Sequence, residues 1–543
     1  MQGLVVLALA FLAVSLSGSS PVSAQQSGAP SDWKRGAVRV VERADEDLVA
    51  DGIGDFNGLT QKLDYINDGN SATQRDLGAK CIWLMPVMPS PSYHGYDATD
   101  YYRVNPQFGT NADFKRMVAE AHRRGIHVLI DMVLNHASNE HPYFKDALLN
   151  PGSPYRAWFR FASPQPAQKG IWGDNHVVWH RSPLRDEYYY GIFWSGMPDL
   201  NYENPAVREE VKKVATFWLN EMDVDGFRLD AIPYLVEEGS KLSGTPGTHA
   251  LLREYAAHVR RVAPASYTVG EVWDSVGAME PYYPNELDSH FAFELSEALL
   301  EAVRTGSAKK LFTGYLRLQR QFPAHRWSPF LRNHDQTRTM TALGGDMARA
   351  KLATTLLLTL PGLPFLYYGE EIGMTGDKPD PRLRTPMHWK RGPAAGFTTG
   401  VPWEPLQPDS MTANVEVQET DPNSLLHLHR LLIHQRAAYS SLAVGELIPL
   451  VASSDSVAAF LRRDGEHAAL VVANLSNSPL AGIAISSREP VLKAGRYLPV
   501  LLIGGPPARA DLLVRPDGRI QNYVPIRSVG PLQTLVVQLA PVR

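Results

Sequence analysis

Cysteine and clustered charge are both scarce in this sequence. Cys81 is the single cysteine among 543 residues, so the chain must fold without an internal disulfide bond. The 53 Lys and Arg residues nearly balance the 57 Asp and Glu residues, which leaves a formal net charge of −4, and no run of like charge occurs. Proteins that bind nucleic acids normally present a basic face. The composition therefore argues against a nucleic-acid partner and favours a neutral substrate.

Charged residues are absent from the first 24 positions. Residues 4–16 form an apolar run, and Val22-Ser23-Ala24 then gives the small-x-small pattern of a signal-peptide cleavage site. We predict a signal peptide over residues 1–24 and therefore a secreted or periplasmic protein. The alternative is an uncleaved membrane anchor, but the apolar run is short against the ~20 residues that a spanning helix needs. After cleavage we expect no membrane contact.

Short apolar runs alternate with helical patterns between residues 38 and 367. In one helical pattern Thr110 is a candidate N-cap, and in another Pro205 marks the helix start. Alternating strands and helices predict a parallel sheet. Eight predicted strands favour a closed (β/α)8 TIM barrel over an open, doubly wound sheet. These strands cover residues 38–41, 80–85, 126–133, 224–229, 267–272, 290–293, 328–331 and 363–367.

Two segments depart from this alternation. Residues 135–200 are rich in Tyr, Trp, His, Ser and Pro without a regular period, which predicts an irregular subdomain inserted after the third strand. From residue 444 the chain changes to short strands separated by turns, which predicts a C-terminal antiparallel β-sandwich over residues 444–543. The barrel itself is then assigned to residues 31–134 and 201–443.

Ionisable side chains follow several predicted strands, at the barrel rim where catalytic residues normally lie. Burying several carboxylates together is costly unless a site uses their opposed pKa values. Retaining glycoside hydrolases use two carboxyl groups about 5 Å apart, one ionised and one protonated. Arg228 lies two residues before Asp230, so both side chains point to the same side of the strand and the guanidinium can keep that carboxylate ionised. The rim collects His94, Asp97, Asp131, His136, Arg228, Asp230, Glu271, His334 and Asp335.

Four rim segments carry a family resemblance. Residues 131–136 (DMVLNH), 226–230 (GFRLD), 270–273 (GEVW) and 330–335 (FLRNHD) resemble the signature regions of the alpha-amylase family, glycoside hydrolase family 13. Residues 197–201 (MPDLN) resemble its fifth region and favour the subgroup intermediate between oligo-1,6-glucosidase and neopullulanase. The likeness runs from about Asp47 to the C-terminus in the family's order. It implies a (β/α)8 barrel with an inserted subdomain and a C-terminal β-sandwich.

The resemblance implies a role for each matching residue. Asp230 is the implied nucleophile, Glu271 the general acid and then base, and Asp335 the carboxylate that stabilises the distorted sugar in the transition state. Arg228 is implied to orient Asp230. The implied sugar-binding residues are His94, Tyr96, Asp97, His136 and His334, with Tyr96 stacked on the sugar ring. Each role suits an oxocarbenium-like transition state, which needs anions, a ring platform and hydroxyl-specific hydrogen bonds.

The resemblance also implies structural calcium. The 47–55 loop is similar to a calcium-binding loop of the family, and Asn135 matches a ligand of an interdomain calcium site. Val49 stands where the family has Asn or Asp, which removes one ligand from a site that needs six or more oxygens. The implied calcium ligands are Asp47, Asp51, the Ile53 carbonyl, Asp55 and Asn135. The bond-breaking chemistry itself needs no cofactor.

Three functions remain open. The leading hypothesis is a secreted, retaining, monomeric glycosidase that cleaves α-glucosidic bonds of starch or maltooligosaccharides. Pro233 and Tyr234 instead resemble trehalose synthases, which keeps a transglycosylase or isomerase open. The alternative from another class is a non-catalytic glycan-binding subunit. Such proteins typically lose catalytic carboxylates, whereas Asp230, Glu271 and Asp335 are all present.

Overall fold

The structure is a computed structural model that describes residues 32–41, 47–173, 175–323, 325–505, 508 and 510–542. The predicted signal peptide therefore lies outside the described residues. Within the described ranges, no helix is long and apolar enough to cross a membrane.

A parallel, eight-stranded barrel forms the centre of the molecule. The strands pair in the order β7-β6-β5-β4-β3-β2-β1-β8, and every pairing is parallel. Between β7 and β8, the Phe365 N–H donates to the Pro329 carbonyl at 2.9 Å, which brings the two ends of the sheet together. The predicted TIM barrel is thus confirmed. Its strands are β1 (Val38–Val41), β2 (Cys81–Leu84), β3 (His127–Met132), β4 (Gly226–Leu229), β5 (Tyr267–Gly270), β6 (Ser289–Phe291), β7 (Trp327–Ser328) and β8 (Phe365–Tyr367).

Amphipathic helices cover the outside of the barrel. In α2 the Thr110 side chain accepts from the Asp113 N–H and Asp113 returns a bond to the Thr110 N–H, a reciprocal capping box. Pro205 begins α4, where its missing N–H costs nothing. The helices are α1 (Phe56–Ile66), α2 (Asn111–Arg123), α3 (Pro142–Leu149), α4 (Pro205–Asn220), α5 (Pro246–Val262), α6 (Val276–Met279), α7 (Phe293–Thr305), α8 (Ala308–Gln321), α9 (Thr339–Ala342), α10 (Met347–Thr359), α11 (Val415–Glu419), α12 (Leu425–Ala438) and α13 (Ser440–Ala443).

The segment between β3 and α4 departs from the barrel repeat. It contains α3 and a small antiparallel sheet of three short strands, Phe161–Ala162, Trp179–Arg181 and Tyr188–Tyr190. Leu200 returns the chain to the barrel, where its N–H donates to the Asn135 carbonyl at 2.9 Å. We refer to residues 136–201 below as the inserted segment.

An antiparallel sheet follows the barrel. Six strands pair in the order β9-β10-β11-β14-β12-β13, and two two-stranded ladders lie beside them. One apolar cluster includes Leu470 of this sheet together with Ile485 and Val529 of the two ladders, so the ladders cover one face of the sheet. The six strands are β9 (Glu446–Pro449), β10 (Val457–Asp464), β11 (His467–Asn474), β12 (Gly495–Ile503), β13 (Leu512–Val514) and β14 (Thr534–Pro541).

Two buried arginines join the C-terminal sheet to the barrel. Arg462 of β10 donates to the Thr359 carbonyl at 2.5 Å and to the Gly445 carbonyl at 2.7 Å. Arg436 of α12 donates to the carbonyls of Leu358 and Leu360 at 3.0 and 2.8 Å. The last turn of a helix leaves carbonyl groups without intrahelical partners and carries a partial negative charge. The two guanidinium groups therefore satisfy the end of α10 just before the chain enters β8.

We expect Arg462→Met to lower the free energy of unfolding by about 3 kcal/mol, because two buried carbonyls lose their charged donor. Urea unfolding followed by circular dichroism measures the change. Arg496→Met is the matched control, because Arg496 is exposed and pairs with Asp511 at the surface; its effect should stay below about 1 kcal/mol. Equal midpoints for the two variants would contradict this assignment.

Candidate active site

A cleft of about 1060 Å³ opens at the carboxyl ends of the barrel strands. Asp230, Glu271 and Asp335, which follow β4, β5 and β7, all line it. His94, Tyr96 and His136 line the same cleft. The inserted segment supplies one wall through aromatic side chains. The structure thus brings most of the sequence-predicted site residues together in one space.

Arg228 lies beneath the carboxylates of this cleft, with only 1% of the residue exposed. Its Nη1 donates to Asp230 Oδ1 at 2.5 Å and to Asp131 Oδ1 at 2.8 Å. Its Nη2 lies 2.8 Å from Glu271 Oε2. One guanidinium therefore serves three carboxyl groups from three neighbouring strands.

The cluster has more carboxyl groups than cations, which favours the protonated form of some of these carboxyl groups. Burial raises the pKa of Asp131, and the Arg228 guanidinium opposes the rise. Burial likewise raises the pKa of Asp230 and of Glu271, again against Arg228. Three ionised carboxylates beside one cation would leave two uncompensated negative charges in a buried place, which is costly. At least one carboxyl group of the cluster is therefore disposed to stay protonated near neutral pH.

The turn that follows Asp230 has a strained backbone and adds a hydrogen-bond donor to the Arg228 cluster. Ala231 adopts φ 46°, in the left-handed region that non-glycine residues seldom occupy. Its N–H donates to Glu271 Oε2 at 3.2 Å. This turn therefore adds a backbone donor to the Glu271 carboxyl group, on the side next to Asp230.

Asp335 has an electrostatic environment opposite to that of Glu271. Its Oδ1 lies 2.9 Å from Arg384 Nη2 and its Oδ2 lies 3.0 Å from His334 Nε2. Burial alone would raise the pKa of Asp335, but His334 and Arg384 outweigh burial and hold it well below the ordinary range. Asp335 is therefore ionised at neutral pH.

Tyr96 links the carboxyl groups that share Arg228 to His334, the side chain that contacts Asp335. Its hydroxyl lies 2.8 Å from His334 Nε2 and donates to Asp131 Oδ2 at 3.1 Å. Its ring stacks on the His334 ring with an interplanar angle of 18°, and its other surroundings include the Arg228 guanidinium, 5.7 Å from the ring centroid. The phenol is thus held rigidly at the floor of the cleft, as a platform for a sugar ring must be.

Two histidines on the other side of the cleft are positioned by short contacts. The His136 Nδ1 lies 3.0 Å from Asn135 Oδ1, and burial lowers the pKa of His136 to about 4. His136 is therefore neutral at neutral pH. The His94 Nδ1 lies 3.0 Å from the Ser92 hydroxyl and accepts from the Tyr96 N–H at 3.1 Å. The His136 ring can therefore exchange hydrogen bonds with hydroxyl groups without carrying charge.

Asp97 lies behind the cleft wall rather than on it. It is 3% exposed, and it accepts hydrogen bonds from the hydroxyls of Ser90 and Ser92. Since Ser92 in turn contacts His94, Asp97 supports the loop that presents His94 and Tyr96. Arg228 and His334 are likewise buried beneath the residues that line the cleft.

The structure also shows site residues to which sequence reasoning gave no role. Asp131 shares Arg228, and Arg384 pairs with Asp335. Exposed aromatic side chains line the outer cleft, and Trp273 among them stacks on Phe293 with centroids 4.9 Å apart. The sequence placed Asp131 on the barrel rim but assigned it no role, whereas Arg384 lies in a segment with no period. Besides Tyr96, the aromatic lining residues are the exposed Trp172, Trp194 and Trp273, the half-buried Tyr93, Phe193 and Tyr234, and the buried Tyr282.

The residues predicted to bind calcium make protein hydrogen bonds instead. Asp47 accepts from the N–H groups of Ala50 and Gly52 at 2.8 and 2.7 Å. Asp55 accepts from the N–H groups of Leu48 and Gly58, the latter as the N-cap of α1. Exposed Asp51 accepts from the N–H of Ile53, 2.9 Å away. The loop is thus closed by its own backbone donors.

Asn135, the predicted ligand of the interdomain calcium site, also makes hydrogen bonds to the protein. Its amide Nδ2 donates to the Tyr234 carbonyl at 2.6 Å. Among the residues that the structure describes, no three His, Cys, Asp or Glu side chains gather where they could hold a metal ion. Calcium binding by the 47–55 loop and by Asn135 stays a prediction.

Comparison with known proteins agrees with this geometry. Residues 42–445 match the family model described as "Alpha amylase, catalytic domain". Alpha-amylase 3 of Dictyoglomus thermophilum is 36% identical over 453 residues, which cover 82% of this chain and 85% of that protein. The trehalose synthase/amylase TreS of Mycolicibacterium smegmatis is 35% identical over 515 residues, with 83% and 85% covered.

A solved structure shows the same architecture. The crystal structure of an alpha-amylase from H. orenii superposes with a TM-score of 0.80 at 36% sequence identity. The match covers 93% of this chain and 99% of the other. Barrel, inserted segment and C-terminal sheet are therefore shared across almost the full length of both proteins.

Proposed function

Since the chain belongs to the alpha-amylase family, an enzyme family that acts on α-glucans, we propose that it is a retaining hydrolase of α-glucosidic bonds in starch or maltooligosaccharides. The observation that carries the proposal is the sharing of Arg228 by Asp230 and Glu271. Two carboxyl groups held by one guanidinium are close together, which suits the short spacing of retaining enzymes and not the wider spacing of inverting ones.

The first half of the reaction forms a covalent intermediate. Asp230 Oδ attacks the anomeric carbon while Glu271 gives its proton to the glycosidic oxygen, so that the bond between that carbon and oxygen breaks and the leaving sugar departs as an alcohol. In the second half, Glu271 takes a proton from water and the resulting hydroxide attacks the same carbon. Asp230 is released, Glu271 is again protonated, and the anomeric configuration is retained.

The charges of the site suit these roles. Burial raises the pKa of both Asp230 and Glu271. The short 2.5 Å contact of Arg228 with Asp230 favours the ionised form of the nucleophile, and the raised pKa of Glu271 favours the protonated form of the acid. Ionised Asp335 faces the positive charge that develops on the sugar ring. Neutral His136 can exchange hydrogen bonds with sugar hydroxyls, and the His94 ring lines the same cleft. A preorganised site of this kind stabilises the transition state without paying for reorganisation.

Intramolecular transglycosylation is the second candidate function. Tyr234 lines the cleft and packs against Phe193 of the inserted segment, with ring centroids 5.8 Å apart. Pro233 and Tyr234 are also the positions that resemble trehalose synthases, and one relative with 35% identity is named a trehalose synthase/amylase. An aromatic wall close to the leaving sugar favours its retention, so that it can attack the intermediate in place of water.

We expect the purified chain to release short α-anomeric oligosaccharides from maltoheptaose, and Asp230→Ala to lower kcat/KM roughly 10⁴-fold because no glycosyl-enzyme can form. Product analysis by chromatography and anomer analysis by NMR measure both effects. Asp274→Ala is the matched control. Asp274 is exposed and lines the same cleft, and among the described contacts no hydrogen bond or ion pair joins it to Arg228.

The products formed from different substrates distinguish the functional hypotheses. Release of panose from pullulan would indicate neopullulanase activity. Trehalose from maltose would establish the isomerase alternative. No product from maltoheptaose, pullulan or maltose would contradict the enzyme proposal and favour a glycan-binding subunit, whose binding should survive Asp230→Ala.

The pH profile should identify Glu271 as the acid. Burial raises its pKa, so the protonated form persists to a higher pH than for an ordinary glutamic acid, and kcat/KM on maltoheptaose falls only as the pH rises through that raised value. With α-maltosyl fluoride, whose leaving group departs without a proton, the alkaline decline should vanish. Identical alkaline limbs for the two substrates would contradict the assignment.

We also propose that the protein is exported. The support is the apolar run and the Val22-Ser23-Ala24 pattern of the sequence. Expression with residues 1–24 should yield protein outside the cytoplasm whose intact mass corresponds to a start at Gln25, whereas a chain that begins at Gln25 should stay in the cytoplasm. A full-length mass in the membrane fraction would instead support an uncleaved anchor.

A further inference from the structure

The turn that carries Arg384 is fixed by buried side chains of the barrel. Residues 383–385 are at most 2% exposed. Arg384 reaches the cleft through its guanidinium, whose Nη2 lies 2.9 Å from Asp335 Oδ1 and whose Nε donates to the His334 carbonyl at 3.3 Å. Because both contacts are made by one side chain, they depend on where the backbone of residues 383–385 lies.

Two tyrosines at the end of β8 donate hydrogen bonds to this turn. The Tyr367 hydroxyl donates to the Leu383 carbonyl at 3.2 Å, and the Tyr368 hydroxyl donates to the Thr385 carbonyl at 2.6 Å. Both tyrosines are fixed by the barrel sheet, since Tyr367 pairs with Val40 of β1 and the Tyr368 N–H donates to the Val40 carbonyl at 3.2 Å. The barrel is thus bonded to the carbonyl on each side of the arginine of this turn.

Arg338 adds a third buried contact to the turn. It is 2% exposed, and its Nε donates to the Leu383 carbonyl at 2.9 Å while its Nη1 donates to the Tyr368 carbonyl at 2.7 Å. Its guanidinium carbon lies 4.5 and 4.7 Å from the ring centroids of Tyr367 and Tyr368, within the range of cation–π attraction. Nη2 has no hydrogen-bond partner among the described residues, so Nε and Nη1 make the polar contacts of this side chain. We refer to Arg338, Tyr367 and Tyr368 below as the buried clamp.

We propose that the buried clamp positions Arg384 against Asp335 and thereby supports the transition state of the chemical step. The described lining of the cleft includes none of the three clamp side chains, so the clamp acts on the cleft through Arg384. The inference rests on the proposed function, in which Asp335 stabilises the positive charge that develops on the sugar. A shift of about 1 Å in such a group can lower the rate about 100-fold. The clamp residues are therefore positioning residues.

Hydrogen exchange tests the clamp without using activity. The Arg384 N–H donates to the Pro381 carbonyl at 3.1 Å within the turn. We expect Tyr368→Phe and Arg338→Met each to speed exchange of this amide about tenfold or more, because each variant removes a hydrogen bond that holds the turn. Tyr315→Phe is the control for a lost buried hydroxyl, since that hydroxyl donates to a backbone carbonyl of β9 at 3.2 Å, and it should leave this amide unchanged. Wild-type exchange in Tyr368→Phe, the milder clamp variant, would overturn the proposal.

Kinetics on maltoheptaose test the consequence for the reaction. Tyr368→Phe should lower kcat about 10-fold and Arg338→Met about 100-fold with little change in KM, because the charge that Asp335 stabilises develops only in the transition state. Arg462→Met removes another buried arginine that donates to backbone carbonyls, but at the C-terminal sheet, so it should keep the wild-type kcat. A raised KM with an unchanged kcat in the clamp variants would overturn the proposal.

A double-variant cycle distinguishes positioning from a general loss of stability. If the clamp acts through Arg384, then Arg384→Met should lower kcat at least as far as Tyr368→Phe does, and Tyr368→Phe/Arg384→Met should be no slower than Arg384→Met alone. Losses that multiply in the double variant would show that Tyr368 acts independently of Arg384 and would contradict the proposal. If the wild type acts on no substrate, the proposed function fails, while the exchange experiment still decides whether the clamp holds the turn.

Discussion

The active-site architecture depends on one buried guanidinium that must serve three carboxyl groups. Arg228 can meet Asp131, Asp230 and Glu271 together only because β3, β4 and β5 are parallel neighbours whose register places Asp131 directly beside Arg228. A slip of one residue would turn Arg228 or Asp131 to the other face of the sheet. The barrel therefore fixes the distances, and the excess of carboxylate over cation then fixes the protonation: at least one carboxyl group keeps a proton.

The second arginine of the cleft produces the opposite result by the same physics. Asp335 contacts Arg384 and His334 directly, and these neighbours hold its pKa down. Glu271 shares Arg228 with two other carboxyl groups, burial dominates there, and its pKa rises. Two acids of the same site are thus separated in pKa by the neighbours that each one contacts. This is the condition for one carboxyl group to give a proton while another stays negative beside the developing positive charge.

Sequence reasoning succeeded where the physical signal is local. A two-residue spacing placed Arg228 and Asp230 on one side of a strand, and Thr110 marked a helix start. It failed where a contact joins distant, aperiodic segments: Arg384 meets Asp335 across 49 residues and Arg160 meets Glu237 across 77. The 47–55 loop shows a further limit, since acidic side chains at this spacing can bind either an ion or backbone N–H groups, and in Asp47 and Asp55 the structure shows the second use.

Arginine is common to the two groups of carboxylates in the cleft, and this has a consequence for pH. A guanidinium keeps its charge throughout the pH range in which proteins fold, so Arg228 and Arg384 supply a constant positive field. A structural metal ion would not behave in this way, because protons compete with it for its ligands. With the cations invariant, pH acts on the cleft through its carboxyl groups and histidines alone, and among these Asp335 and His136 are already held in one form at neutral pH. The carboxyl groups that share Arg228 have raised pKa values instead, and the proposed reaction takes and gives its proton among them.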